Sequence, residues 1–339
     1  MLMNTPPELW MRICEYACVD DGQTGRSLSA ASSFLRSVSA EYRYRSLAME
    51  ACRSRTTRRL LQTLKATPER DRRIHHLYIN RPRTSTVWHP WFDVEIPNPG
   101  ARYKREKETG KDLCELLQMV APHIRTLTII FDVTIMDSLK KGGLHLELLH
   151  MPNLEELTID GPGQTLPIST RFAPSLKRLR LPSYLLEPVF AESAAENFPL
   201  LTHLFISPLP TLTSQQWKTI GLLAYAMRLH NSAYVRGPDV SALSIMSPSP
   251  RRFLTVEPCF PKNRAGDARY QRTLELLRGF SDRVPRFILL PVQYEDEADN
   301  GILRRSLILK AQWLDRLRGR QDICSSGSGR LLVSTNFVS

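Results

Sequence analysis

Leu154-Glu155-Glu156-Leu157-Thr158-Ile159 is followed, 22 residues on, by Leu176-Lys177-Arg178-Leu179-Arg180-Leu181, and 25 residues later by Leu201-Thr202-His203-Leu204-Phe205-Ile206. All three read apolar, two polar, Leu, one polar or aromatic, apolar. Side chains alternate between the two faces of a strand, so the second Leu and the residue two positions later point inward together. The first apolar residue marks the turn into the strand. A single match of this pattern arises easily by chance in a chain that is 42% hydrophobic. Three in succession, each with Pro two residues before its first Leu (Pro152, Pro174, Pro199), do not.

Working outward, the same spacing occurs upstream at Ile74-His75-His76-Leu77-Tyr78-Ile79 and Ile124-Arg125-Thr126-Leu127-Thr128-Ile129. Weaker copies follow at Val240-Ser241-Ala242-Leu243-Ser244-Ile245 and Val284-Pro285-Arg286-Phe287-Ile288-Leu289. The five strong copies start at residues 74, 124, 154, 176 and 201. The series resembles the strand half of leucine-rich repeats, whose period is roughly 20 to 29 residues, with room for two units in the first interval. Amphipathic helices fall between the copies: 111–121 with Leu113, Leu116, Leu117 and Val120 inward, 185–196, 213–229 with Trp217, Ile220, Ala224 and Met227 on one face, and 267–280. A last helix over 302–318 has Leu303, Leu307, Leu314 and Leu317 as its core face, with Trp313 beside it. Strand alternating with helix predicts an α/β fold, an irregular solenoid with a parallel sheet and outer helices.

Ahead of the repeats, Thr5-Pro6-Pro7-Glu8-Leu9 opens a helix: Thr5 suits an N-cap, Pro the first turn, and Glu8 the positive end of the dipole. Leu9, Ile13 and Tyr16 or Ala17 share one face. Asp20-Asp21-Gly22-Gln23-Thr24-Gly25 interrupts the chain, and a second helix is expected from Ser27 to Ser39 with Leu28, Ala31, Leu35 and Val38 on one face. Below about 40 residues a unit lacks the apolar burial to stand alone. Its remaining apolar face must therefore dock, against the repeats or against another protein.

These residues resemble the F-box, the short helical motif that binds the Skp adaptor of cullin-based ubiquitin ligases. The family opens Leu-Pro-x-Glu-Leu with Ile four residues later, matched here by Pro6, Glu8, Leu9 and Ile13. Leu28, Ala31-Ser32 and Phe34 or Leu35 correspond to its later positions. Pro-Pro-Glu-Leu-Trp-x-Arg-Ile is similar to F-box proteins of fungi. Thr5 stands where the family prefers Leu and Ala31 where it prefers Val, and the inter-helix loop is longer and more polar than usual. The resemblance implies a substrate-recognition subunit of a Skp-cullin-F-box ubiquitin ligase. Pro6, Leu9, Ile13, Leu28, Leu35 and Val38 would contact the adaptor, and the repeats an unidentified target protein. The alternative is a ligase-independent repeat protein whose N-terminal helices cap the solenoid.

The expected organisation is a helical unit over 1–50, a connecting helix within 51–72 carrying Leu60, Leu61 and Leu64, repeats over 73–319, and a Gly/Ser-rich tail over 320–339. From Arg81 to Gly110 four prolines accompany Trp88, Trp91 and Phe92 without periodicity. That stretch reads equally as a binding loop or as an insertion folded over the repeat edge.

Six scattered cysteines, no disulfide-framework spacing and no Asn-x-Ser/Thr site point to an intracellular compartment, cytoplasmic or nuclear. No signal-peptide pattern opens the sequence, and no apolar run reaches the ~20 residues of a membrane span, so no membrane partner is expected. The net charge of +12 collects at 53–59, 70–73 and 104–107, but no nucleic-acid motif accompanies these runs.

The sequence carries no catalytic signature. Cys14 and Cys18 lie one helical turn apart without a second pair at zinc spacing. His75 and His76 face opposite sides of a strand. Glu295-Asp296-Glu297-Ala298-Asp299 lacks the spaced oxygens and Gly turn of a calcium loop. Gly22-Gln23-Thr24-Gly25 lacks the spacer and Lys of a phosphate loop, and Gly161-Pro162-Gly163 is a turn. Neither an enzyme nor a cofactor or metal site is expected.

Overall fold

The structure, a computed structural model, describes residues 5–50, 54–80, 99–130, 149–160, 172–183, 197–209, 220, 252–261, 267–284, 286–295 and 300–319. Its centre is a parallel sheet whose strands lie side by side in chain order: β1 (Ser46–Glu50), β2 (His76–Asn80), β3 (Thr126–Ile130), β4 (Glu156–Asp160), β5 (Arg178–Leu181), β6 (His203–Leu209), β7 (Phe253–Pro261) and β8 (Phe287–Leu289). A ninth, β9 (Gln293–Glu295), pairs in parallel with the far end of β7. Chain order equal to spatial order is the mark of a solenoid-like α/β fold.

The register follows from the spacing of the sequence copies. Leu47, Leu77, Leu127, Leu157, Leu179, Leu204, Leu254 and Phe287 stand in one row across the sheet. A slip of one residue in any strand would turn its whole apolar set to the other face, so this row pins each pairing. The residue that opens each copy (Ile74, Ile124, Leu154, Leu176, Leu201, Val284) is buried in the turn before its strand. The backbone in those turns is paired as well: Arg125 N donates to His75 O (2.7 Å), and Glu155 N, Lys177 N and Thr202 N to the carbonyls of Arg125, Glu155 and Lys177 (2.8 Å each).

One apolar cluster runs the length of the sheet on the face of this Leu row. Helices α4 (Ser54–Ala66), α5 (Pro99–Val120) and α6 (Ala268–Ser281) cover it, contributing Leu61 and Leu64, Leu113, Leu116, Leu117 and Val120, and Leu277. The core faces expected for 111–121 and for the connecting helix are those observed.

Several expectations are corrected. Helix α5 begins at Pro99, so 99–110 is helical and not loop, while 81–98 lie outside the described residues. The sheet starts inside the expected helical unit, because β1 joins it at Ser46. The copy at 240–245 and the helix over 185–196 lie outside the described residues, as does the helix over 213–229 apart from the buried Ile220, and the place beside β6 belongs to β7. The tail over 320–339 lies outside them too.

The last helix, α7 (Asn300–Leu317), lies on the opposite face of the sheet from α4, α5 and α6. Leu309 and Trp313 are its buried apolar residues among those described, packed with Tyr78 and Ile130, and Leu314 and Leu317 pack at the margin. Leu307, expected in the core face, is 60% exposed. Gly319, at φ 71°, ends the helix in a left-handed turn open to a residue without Cβ strain.

Candidate functional site

The N-terminal residues form three helices, not two: α1 (Pro7–Ala17), α2 (Gln23–Ala31) and α3 (Ser33–Val38). The expected Ser27-to-Ser39 helix is broken at Ser32, whose backbone is extended and whose hydroxyl accepts from Leu35 N at 3.1 Å. A serine able to cap the next helix competes with helix continuation at that point. Pro6, and not Thr5, occupies the N-cap position of α1, without a side-chain cap bond.

Asp20 organises the start of α2. Its carboxylate accepts from Gly22 N (2.8 Å), Thr24 N (2.9 Å) and Thr24 Oγ1 (2.6 Å). Burial alone would raise its pKa, yet these bonds outweigh that and hold the group below the ordinary carboxylate range. Gly22 is left-handed, with φ 92°. Gly25 lies against the backbone of Arg43, where a Cβ would come within 2.5 Å of the carbonyl oxygen. Only glycine allows α2 to sit so close.

The loop before α2 also docks on the edge of the sheet. Ala48 N donates to Asp21 O (3.3 Å), and the Ser46 hydroxyl to Asp20 O. Arg45 holds Glu15 of α1 at 2.8 Å, and this bond, ahead of the opposing effect of burial, lowers the Glu15 pKa. The helical unit is thus fixed to β1 through its loop and through one side of α1.

That leaves the other side of α1. Cys14 and Cys18 are buried, with their thiol pKa values raised by desolvation, Cys18 to about 11. Leu9, Ile13 and Tyr16, at steps of four and three, are 54%, 51% and 71% exposed. They form one stripe facing solvent. Phe34 of α3 is 41% exposed, and Trp10 meets it edge to face with ring centroids 6.3 Å apart. Four large apolar side chains left in water on two neighbouring helices form a surface that favours a partner.

Of the six residues expected to contact an adaptor, Pro6, Leu9 and Ile13 are exposed. Leu28, Leu35 and Val38 are half-buried. Tyr16 and Phe34 belong to the exposed surface but not to the expected set. Tyr16 follows Leu9 by seven residues, which the helical period alone identifies.

Elsewhere, a cleft of about 200 Å³ opens between the end of α7 and the starts of β2 to β4, walled by His76, Thr126, Glu156, Trp313 and Arg316. His76 Nδ1 lies 3.1 Å from Thr126 Oγ1, and burial, followed by the charges of His75 and nearby arginines, depresses its pKa to about 3. Thr126 thus occupies one imidazole nitrogen, and burial favours the neutral ring. Among the described residues no group of three His, Cys, Asp or Glu is placed to hold a metal ion, and no helix is long and apolar enough to cross a membrane. Comparison with known proteins finds no family model, no curated protein and no solved structure that matches this chain.

Proposed function

We propose that this chain is an F-box-type substrate-recognition subunit: α1 to α3 dock on a Skp-type adaptor, and through it on a cullin scaffold, while the leucine-rich-repeat body holds a target protein. The reading rests on the resemblance of Pro6-Pro7-Glu8-Leu9 and Ile13 to the F-box. The observation that carries it further is the solvent-facing stripe Leu9, Ile13 and Tyr16. A cap folded only to shield the first repeat would turn these side chains inward, as it does Cys14. The chain itself performs no reaction in this scheme. It raises the effective concentration of target beside a ubiquitin-charged enzyme.

A second reading, a ligase-independent interaction protein with helices that only cap the solenoid, has its own support. Ala48 N and the Ser46 hydroxyl both bond to the α1 to α2 loop, which covers the first edge of the sheet. Edges left open invite pairing with other chains, so covering one is a sufficient structural role.

Co-purification with a Skp-type adaptor separates the two. The native chain should bind, and a Leu9→Asp, Ile13→Asp variant should not, since burying two unpaired carboxylates costs several kcal/mol. Because both positions are exposed in the free chain, the variant should keep its stability within about 0.5 kcal/mol. A folded native chain that fails to bind would leave capping as the role of these helices.

A further inference from the structure

The face of the sheet opposite the main core carries Ala48, Tyr78 and Ile130 as neighbouring apolar side chains, and α7 lies over them. Its attachments reach from the first strand to the fifth. Lys310 Nζ meets Asp21 Oδ2 beside β1 at 3.0 Å. Ser306 O accepts from the Tyr78 hydroxyl at 2.8 Å, and Thr126 Oγ1 from Trp313 Nε1 at 3.3 Å. Arg316 Nε is 3.4 Å from Glu156 Oε2, and Arg180 Nη1 donates to Gln312 Oε1 at 2.7 Å.

Among the described residues, no side chain of α7 belongs to the apolar cluster that α4, α5 and α6 cover. The strands beneath it are already paired in their ladders, so lifting α7 strands no backbone donor. The Tyr78 hydroxyl and Thr126 would turn to water. Its ion pairs are partly exposed, the kind that contributes little and is screened by salt. Its outer side shows Leu307 and Ile308 to solvent, so it is held from one side only.

We infer that α7 is a detachable strap that closes the β1 to β5 end of this face. When it lifts, the strip Ala48, Tyr78 and Ile130 accepts a helix of the same chemistry: an aliphatic residue, a base directly after it, and Trp four residues after the aliphatic, as Leu309, Lys310 and Trp313 stand in α7. The strap regulates by occupancy, since a partner helix and α7 compete for one strip. It goes beyond the adaptor reading and stands whether or not an adaptor binds.

Hydrogen exchange on the full chain, read by mass spectrometry, tests the lifting. Amides of 303–317 should exchange at least about tenfold faster than those of β2 to β4, because a local opening needs less free energy than unfolding the sheet. Equal protection of α7 and β2 to β4 would overturn the strap. Occupancy is tested with a labelled synthetic peptide of residues 300–319. A full-length Trp313→Ala variant should bind it at least about tenfold more tightly than the native chain does, and a peptide carrying Trp313→Ala should not bind. Failure of the peptide to bind a variant whose circular dichroism matches the native chain would overturn the accepting strip. Should that variant not fold, Lys310→Ala takes its place, with binding expected to tighten about two- to fivefold, the size that releasing a partly exposed ion pair allows, and unchanged binding would overturn the accepting strip.

Discussion

Lys310 Nζ lies 3.0 Å from Asp21 Oδ2, so the last described helix is tied to the loop between the first two across 289 residues of chain. The same Asp21 gives its carbonyl to Ala48 N of β1. One residue therefore joins the helical unit, the edge of the sheet and α7. The pair is partly exposed, which sets its strength: a double-mutant cycle with Asp21→Ala and Lys310→Ala, followed by urea unfolding, should give a coupling of about 0.2–1 kcal/mol. Trp313→Ala, which removes a buried ring, should cost about 3 kcal/mol in the same assay. A coupling as large as the Trp313 effect would mean that charge, and not the aromatic contact, seats α7.

Gly25 and Gly279 predict opposite signs for one substitution. A Cβ on Gly25 would meet Arg43 O at 2.5 Å and Arg43 Cα at 2.8 Å, both backbone atoms that move only with the chain. Gly25→Ala should destabilise by roughly 1–3 kcal/mol, as overpacking does. On Gly279, inside α6, the nearest atom is the far end of the Arg283 side chain at 3.9 Å. Gly279→Ala should stabilise by roughly 0.5–1 kcal/mol through helix propensity. Thermal and urea unfolding of the two variants read both signs directly.

Cys18 predicts a loss of stability in alkali. Burial, then the neighbouring Cys14 and Asp20, raise its thiol to about 11 from an ordinary 9.0. The folded chain keeps this proton where the unfolded chain has released it, so the contribution is complete below pH 9 and lost as pH rises from 9 towards 11. Its size is on the order of 2 kcal/mol. A Cys18→Ala variant should show a flatter decline over that window, and in the native chain at pH 8 the thiol should react with iodoacetamide only after unfolding. Rapid alkylation of the folded chain would contradict the burial.

The sheet was the most legible part of the sequence, because one spacing both selects the inward face and sets the register. β2 to β6 are the five quoted segments. β1 obeys the same rule as Tyr44-Arg45-Ser46-Leu47-Ala48-Met49, hidden because a buried Tyr stands in the opening apolar place. β7 breaks the rule outright, with Arg251 where the opening apolar residue would be, so its place beside β6 was visible only in the fold. In α7 Leu307 misled: counting it in the inner face assumes a helix packed on helices, whereas a helix laid on a sheet buries a narrow stripe, here Leu309 and Trp313 with Leu314 and Leu317 at its margin, while the Leu303 side chain lies outside those described. The exposed surface of α1 was legible as a stripe. Which side of that helix meets the rest of the chain was not, because Cys14 and Cys18 are the less apolar-looking choice and their burial comes from tertiary packing that the helical period does not show.

His75 and His76 predict a loss of stability in mild acid. Burial comes first in lowering both, followed for His75 by Arg45 and Arg125 and for His76 by His75 itself, to about 4 and about 3 from an ordinary 6.5. Between those values the unfolded chain binds protons that the folded chain refuses, so unfolding gains as pH falls. The stabilisation is therefore full above pH 6.5 and declines as pH drops towards 4 and then 3. For the pair it should reach on the order of 1–3 kcal/mol by pH 5. Asp20 and Glu15, both held below their ordinary carboxylate values, lose their own contribution only as pH falls through the carboxylate range, below the pH 5 end of the comparison. A His75→Gln, His76→Gln variant should lose most of the difference in urea midpoint that the native chain shows between pH 7.5 and pH 5. Because Thr126 Oγ1 bonds both to His76 and to Trp313 Nε1, protonation at His76 should also loosen α7. Exchange of the α7 amides, corrected for its intrinsic pH dependence, should then rise in the native chain at pH 5 and not in the variant; equal rates in the two would separate the histidines from the helix above them.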